Sequence, residues 1–405
     1  MKRTHTMSRR AFARTLTQTL ALAAAGAAGS FGPFGLSGLA RAATPLKIGL
    51  LAPLSGPLTR VGETNRNCAA LAIDEINAAG GVLGRPLQLL VEDTQMSTAV
   101  ALDKARQLFM RDDVAMLTGM VLPAEREAAL QAAVAARRLV VYPNFDEGRC
   151  HAQLLTTGLA MNQRIEPAIQ WLVREVGKKV CVVVSDMGSN RRTLVPQLQV
   201  SIERHGGTLV DVSYFPFGTR DFGAVLQRIA ALRPQIVWHS IGDDPVTFVK
   251  QYRSFSMEPQ LVSDIAHESL SIATEGASTG TLGVSSYFMS LDNAANRAFL
   301  ARYTARYADA HAPRLGASVV VLPHGENTYA GIQLFAQAVH LAGSIEPGRV
   351  KAALPRLSLA LPRGPVSVTG DGGHVLCATR IGRARTDNSF EILASTGPIA
   401  PTCQT

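Results

Sequence analysis

From Lys47 onward, short apolar runs rich in β-branched residues alternate with longer segments whose apolar side chains recur three and four apart, and this alternation predicts strand and helix in turn. Strands are predicted over 47–52, 87–92, 114–118 and 139–142, with helices between them over 65–79, 99–111 and 124–137. The first of these helices carries Leu71, Ile73 and Ile76, the last two three apart, so one face packs on a sheet. A second series follows: helix 165–176, strand 179–185, helix 190–205, strand 208–214, helix 221–232, strand 235–240, helix 245–255 and strand 260–265. A strand at 282–287, helices at 294–308 and 325–342, and a β-rich close at 365–369 and 380–393 complete the pattern. Strand and helix in alternation imply an α/β fold with parallel sheets, and two such series imply two similar lobes. The closing strands must join a sheet begun earlier, so the chain crosses between the lobes more than once.

The first 42 residues carry a different pattern. Ser8-Arg9-Arg10-Ala11-Phe12 precedes an uncharged stretch from Thr15 to Leu39, then Ala40-Arg41-Ala42. That order predicts a twin-arginine export signal with a small-x-small cleavage site near Ala42. Its apolar core, around Leu20 to Ala28, is too short for a membrane span. Six of the nine net positive charges lie here, on Lys2, Arg3, Arg9, Arg10, Arg14 and Arg41, which leaves the 363 residues beyond Ala42 at +3. The basic balance therefore belongs mostly to the signal, and no basic run interleaved with aromatics supports nucleic-acid binding. Cytosolic enzymes and gene regulators are disfavoured.

Five cysteines follow the signal, Cys68, Cys150, Cys181, Cys377 and Cys403. An odd number in an oxidising compartment leaves at least one without an intramolecular partner, and the pairing does not follow from spacing. Cys181, inside Val180-Cys181-Val182-Val183-Val184, is expected as a small buried apolar side chain rather than half of a bridge. There is no CxxC and no histidine pair at ligand spacing, so no metal site is expected. No GxGxxG follows the first strand, no GxSxG elbow is present, and no phosphate-binding loop occurs, which leaves dinucleotide, serine-hydrolase and nucleotide chemistry without their motifs. No cofactor and no catalytic residue is expected.

Two motifs carry a resemblance. Lys47-Ile48-Gly49-Leu50-Leu51-Ala52-Pro53-Leu54-Ser55-Gly56, followed by Ala72-Ile73-Asp74-Glu75-Ile76-Asn77-Ala78-Ala79-Gly80-Gly81-Val82-Leu83-Gly84-Arg85-Pro86-Leu87, resembles the opening of type I periplasmic binding proteins of the branched-chain amino-acid transport class. Within that class Tyr142-Pro143, Glu147-Gly148, Met161-Asn162-Gln163, Ser286-Tyr287-Phe288, Gly364-Pro365-Val366 and Ile381-Gly382-Arg383 resemble the amide- and urea-binding branch more than the leucine-binding one. The likeness runs from about residue 45 to about 400. It implies two Rossmann-like lobes with parallel sheets joined by three crossovers, residues 43–162 with 290–363 in one and 163–289 with 364–405 in the other. It also implies a periplasmic protein that closes by a hinge over a small solute and presents it to an inner-membrane ABC permease, without catalysis.

In such proteins the pocket is built from loops at the carboxyl ends of the strands. The resemblance places Val61 where the leucine-binding branch offers an aromatic ring, so an apolar wall is expected. Val121 and Pro123 lie in the loop where the family puts a hydroxyl and backbone N–H groups around a carboxylate or amide, and Pro123 has neither. A buried carboxylate without donors is costly, about 2–7 kcal/mol for a neutral polar group and more for a charge, which argues against an ordinary amino acid as ligand. Tyr142 and Asn144 are expected in the next loop, Asn144 with a turn role as its alternative. Met187 stands near the place of a family tyrosine. Asp243 and Glu268 are expected to face the cleft, with solvated loop charges as the alternative, while Asp244 is expected to cap the helix starting near Pro245. An exported sensor of the same fold is the competing use, and a small-amide hydrolase the competitor from another class.

Overall fold

The structure, a computed structural model, describes residues 43–307, 314–315 and 318–403; the expected export signal lies outside them. The chain begins with β1 (Leu46–Ala52), α1 (Thr59–Ala78), β2 (Leu87–Asp93), α2 (Thr98–Arg106), β3 (Met116–Thr118), α3 (Pro123–Ala136), β4 (Leu139–Tyr142) and β5 (Leu154–Thr156). These strands form one parallel sheet in the order β2-β1-β3-β4-β5. The second series is α4 (Met161–Glu175), β6 (Lys179–Ser185), α5 (Val195–Arg204), β7 (Thr208–Phe215), α6 (Gly223–Leu232), β8 (Ile236–Ser240), α7 (Pro245–Ser254), β9 (Gln260–Ser263), α8 (Glu268–Ala273) and β10 (Leu282–Ser285). Next come α9 (Ala294–Tyr307), the short pair β11 (Arg314–Leu315) and β12 (Ser318–Val319), α10 (Pro323–Ala342) and α11 (Pro347–Ala353). The chain then runs through β13 (Ser358–Leu361), β14 (Gly364–Val368), β15 (Val375–Leu376), β16 (Arg380–Ala384) and β17 (Phe390–Ser395). The second large sheet has the order β17-β16-β10-β9-β8-β6-β7, parallel except where β16 pairs with β10 and β17. The architecture is thus a two-lobed α/β fold with parallel sheets.

Strand β6 explains why the second sheet is buried on both faces. Side chains alternate across a strand, and Val180, Val182 and Val184 enter one core with α4 and α5, while Cys181 and Val183 enter the other with α6 and α7. An uninterrupted apolar run is what a strand covered by helices on both sides requires. The first lobe is organised similarly, with Ile48 and Leu50 facing α1 and α10 and Leu51 facing the side of α2 and α3.

The chain passes between the lobes after β5, after β10 and after β15. Two buried or half-buried arginines tie these passages together. Arg363, ion-paired with Glu326 of α10, donates from Nη1 to the Thr157 carbonyl at 2.8 Å. Arg380 donates to the carbonyls of Ser286 and Arg363. The third passage differs from the expected boundary after residue 363. Val366, Val368, Val375 and Cys377 pack in the first lobe's core, and His374 bridges to Thr156 of β5, so the chain leaves that lobe only after Cys377. The end of the chain also departs from the expected second lobe. Beyond β17 it returns along α4, where the Ile399 and Ala400 carbonyls accept from Gln163 and Asn162, and Cys403 forms a disulfide with Cys150 of the first lobe. Cys68, Cys181 and Cys377 are buried free thiols.

Candidate functional site

A cavity of about 830 Å³ lies where the carboxyl ends of both sheets face each other. Its volume falls in the range of sites that enclose a small organic solute, roughly 300–1,000 Å³. Each wall is made by loops and helix starts that follow strands, the position at which open parallel sheets bind ligands.

On the first lobe, α3 begins at Pro123 directly after the Val121-Leu122 turn, because proline lacks the N–H that a first helical residue leaves unused. The N–H groups of Val121 and Leu122 donate instead to Glu125 Oε2, at 3.3 and 3.1 Å, and Glu125 is wholly buried. The helix start that would hold a ligand carboxylate therefore already holds one of the chain's own. The Val121 carbonyl accepts from the Tyr142 hydroxyl at 2.9 Å and from Asn144 Nδ2, which leaves Asn144 Oδ1 without a protein partner. Beside it, Phe145 meets the His324 ring edge to face, with centroids 5.7 Å apart. His324 stands at the start of α10, and its Nδ1 has no protein partner.

On the second lobe, Arg164 in the first turn of α4 reaches across the cleft and lies over the Phe145 ring, 4.2 Å from its centroid. Its Nη1 is 2.8 Å from Asp264 Oδ2, both side chains being buried, and its Nε is unpartnered. Burial pulls Arg164 below the usual arginine value, and the Asp264 charge opposes that pull. His267 hydrogen-bonds Ser269 Oγ through Nδ1 at 2.9 Å. Burial lowers His267 to about 3, with further lowering from the neighbouring His324 ring and the Arg60 charge, and lowers His324 to about 4, helped by the Arg164 charge. Both imidazoles are neutral at neutral pH.

The expected site residues divide into two groups. Val121, Pro123, Asn144, Met187 and Asp243 line the cavity, and Val61 does so from the first turn of α1. Asp243 is anchored there by Ser185 Oγ at 3.2 Å and the Gly218 N–H at 2.6 Å, while Asp244 caps α7 through the Thr247 N–H. Tyr142 and Glu268 do not reach the wall. The Tyr142 ring is fully buried under Arg126, and its hydroxyl is used on Val121. Glu268 turns away to the passage after β10, accepting from the Ser290 N–H and hydroxyl at 2.8 Å each, and burial raises its pKa. Phe145, Arg164, Asp264, His267 and His324 were not anticipated. One signal was available: Arg164 interrupts the apolar face formed by Met161, Ile165, Ala168 and Ile169, and a cation on such a face must be paired.

Comparison with known proteins agrees with this architecture. The chain belongs to the periplasmic binding protein family, whose model matches residues 45–389. It is 26% identical over 197 residues to the Leu/Ile/Val-binding protein BraC3 of Rhizobium johnstonii, a segment covering 48% of this chain and 53% of that protein. A leucine-, isoleucine-, valine-, threonine- and alanine-binding protein of Pseudomonas aeruginosa is 22% identical over 80% of this chain and 85% of its own length. Among solved structures, an R. palustris ABC-transporter solute-binding protein in complex with benzoate shares the fold, with a TM-score of 0.75 at 21% identity, covering 88% of this chain and 97% of that one.

Proposed function

We propose that this protein is the exported substrate-binding component of an ABC importer, which takes a small neutral solute with an apolar body and an amide- or urea-like group and presents it to an inner-membrane permease. The observation that carries the ligand class is the Glu125 carboxylate on the Val121 and Leu122 N–H groups. With that helix start filled and Pro123 offering no donor, an amino acid or other carboxylate entering there meets a like charge rather than a binding site. The cavity wall is mostly apolar, with Val61, Val121, Leu122, Phe145, Met187 and Ile265 among its residues. Among the polar residues of the same wall, Asn144, Arg164 and His324 carry donor and acceptor groups of the kind an uncharged amide requires. The family membership and the relatives' transport roles support import.

Thermal-shift screening of the purified protein against amides, ureas, branched-chain amino acids and aromatic acids tests this reading. A ligand at about 100 times its dissociation constant adds roughly 2.7 kcal/mol, which raises the melting temperature visibly. Shifts with amides or ureas are expected; shifts confined to amino acids or aromatic acids overturn the ligand class.

A further inference from the structure

We infer that the Arg164–Asp264 pair sets the charge preference of the cleft, so that an uncharged amide is accepted and the carboxylate of the same shape is refused. The inference rests on the proposed solute-binding role and names the residues that decide its ligand. Arg164 brings a cation into the cavity wall, over a ring of the opposite lobe, where a ligand carboxylate would be expected to seek it. Asp264 takes that role first. Its Oδ2 is 2.8 Å from the guanidinium, and its Oδ1 accepts from Ser240 Oγ at 2.6 Å, so the carboxylate is held from both sides at the end of β9. Ser240 Oγ itself accepts from the buried Trp238 indole at 3.2 Å.

The other charges facing Arg164 add to the refusal. Glu147 contributes further negative potential at the guanidinium, and it shares Arg126 with Asp146. Asp243, after the neighbouring strand β8, adds a second anchored carboxylate to the cavity wall. His324 is neutral, and the other cation lining the cavity, Arg60, is exposed to solvent at the start of α1. At Arg164 a ligand carboxylate would be desolvated without gaining an uncompensated cation, whereas a neutral amide loses nothing to repulsion there.

Removal of the Asp264 charge should therefore invert the preference. Asp264→Asn retains an acceptor for Ser240 but leaves Arg164 without its counter-ion, a vacancy that a ligand carboxylate can fill. Calorimetric titration with two isosteric pairs, benzamide with benzoate and isovaleramide with isovalerate, reads the result. In the unaltered protein at least one amide should bind tenfold or more tighter than its acid, and in Asp264→Asn the acid should bind tenfold or more tighter than the amide. The double variant Arg164→Met/Asp264→Asn, which carries neither charge, should not prefer the acid; it keeps the test open if the lone charge in Asp264→Asn prevents folding. An unaltered protein that binds an amide while both variants keep the same order overturns the role of the pair alone. An unaltered protein that binds only the acids, or only branched-chain amino acids, overturns the neutral-ligand reading as well.

Discussion

Three histidines, His239, His267 and His324, are enclosed by the fold, and burial lowers their pKa values to about 3, 3 and 4. An unfolded chain protonates its histidines near pH 6.5, so the folded state alone refuses these protons. The stability they contribute is fully present above about pH 6.5 and is lost as pH falls through about 4 for His324 and about 3 for His239 and His267. With three groups the slope approaches about 4 kcal/mol per pH unit in the middle of that window. Urea unfolding at pH 7.0, 6.0 and 5.0 should show it, and replacing His239 by Phe should reduce the slope by about a third; a flat profile contradicts the assignment. At this scale the sequence disclosed positions better than partners. Val121, Pro123, Asn144, Met187 and Asp243 follow strand ends and were placed on the cleft by that rule. The same rule misplaced Tyr142, the last residue of β4, and Glu268, whose side chain is claimed by Ser290 from another part of the chain. The Arg164–Asp264 pair spans 100 positions, and no local pattern announces a contact of that range.

Among the elements, those that were legible are long and strongly patterned: the apolar strands β1 and β6 and the amphipathic helices between them. Strand β5, with three residues, and α8, with six, were not anticipated, because hydrophobic periodicity needs about two turns or several alternations to register. Helix α1 starts at Thr59 rather than 65, and its Gly62 lies so close to the Pro53 carbonyl oxygen that an added Cβ would stand 2.0 Å away. The passage from β5 to α4 uses glycine for the same reason. A Cβ on Gly158 would stand 1.9 Å from the Asn144 carbonyl oxygen, so Gly158→Ala must push apart the passage and the loop that carries Asn144. A loss of about 1–3 kcal/mol in stability is expected, together with weaker ligand binding, as read by urea denaturation and calorimetry. Unchanged values for both would mean that the two segments are not held in contact.

Over the whole molecule, the two-lobed α/β arrangement was legible because the strand and helix series repeats, and a repeat needs no knowledge of contacts. Where the lobes exchange chain was less so. Segment 364–377 stays with the first lobe: Val366, Val368, Val375 and Cys377 join its core, and His374 bridges to Thr156, far earlier in the chain. The segment beyond β17 binds Asn162 and Gln163 and is then fixed to Cys150 across a separation of 253 residues. A link of such reach restricts the unfolded chain strongly, and Cys403→Ser should lower stability by about 2–5 kcal/mol in urea denaturation. No change on substitution would show that the bridge does not form in solution.

Calorimetric titration of the purified protein with the amide or urea giving the largest thermal shift shows whether the cleft takes up one neutral solute and leaves it chemically unchanged. The ligand is then recovered and weighed by mass spectrometry. Saturable heat at one solute per chain and an intact ligand after prolonged incubation are expected. Conversion of the amide to its acid, or saturable binding of branched-chain amino acids with none of the neutral solutes, would contradict the proposed function.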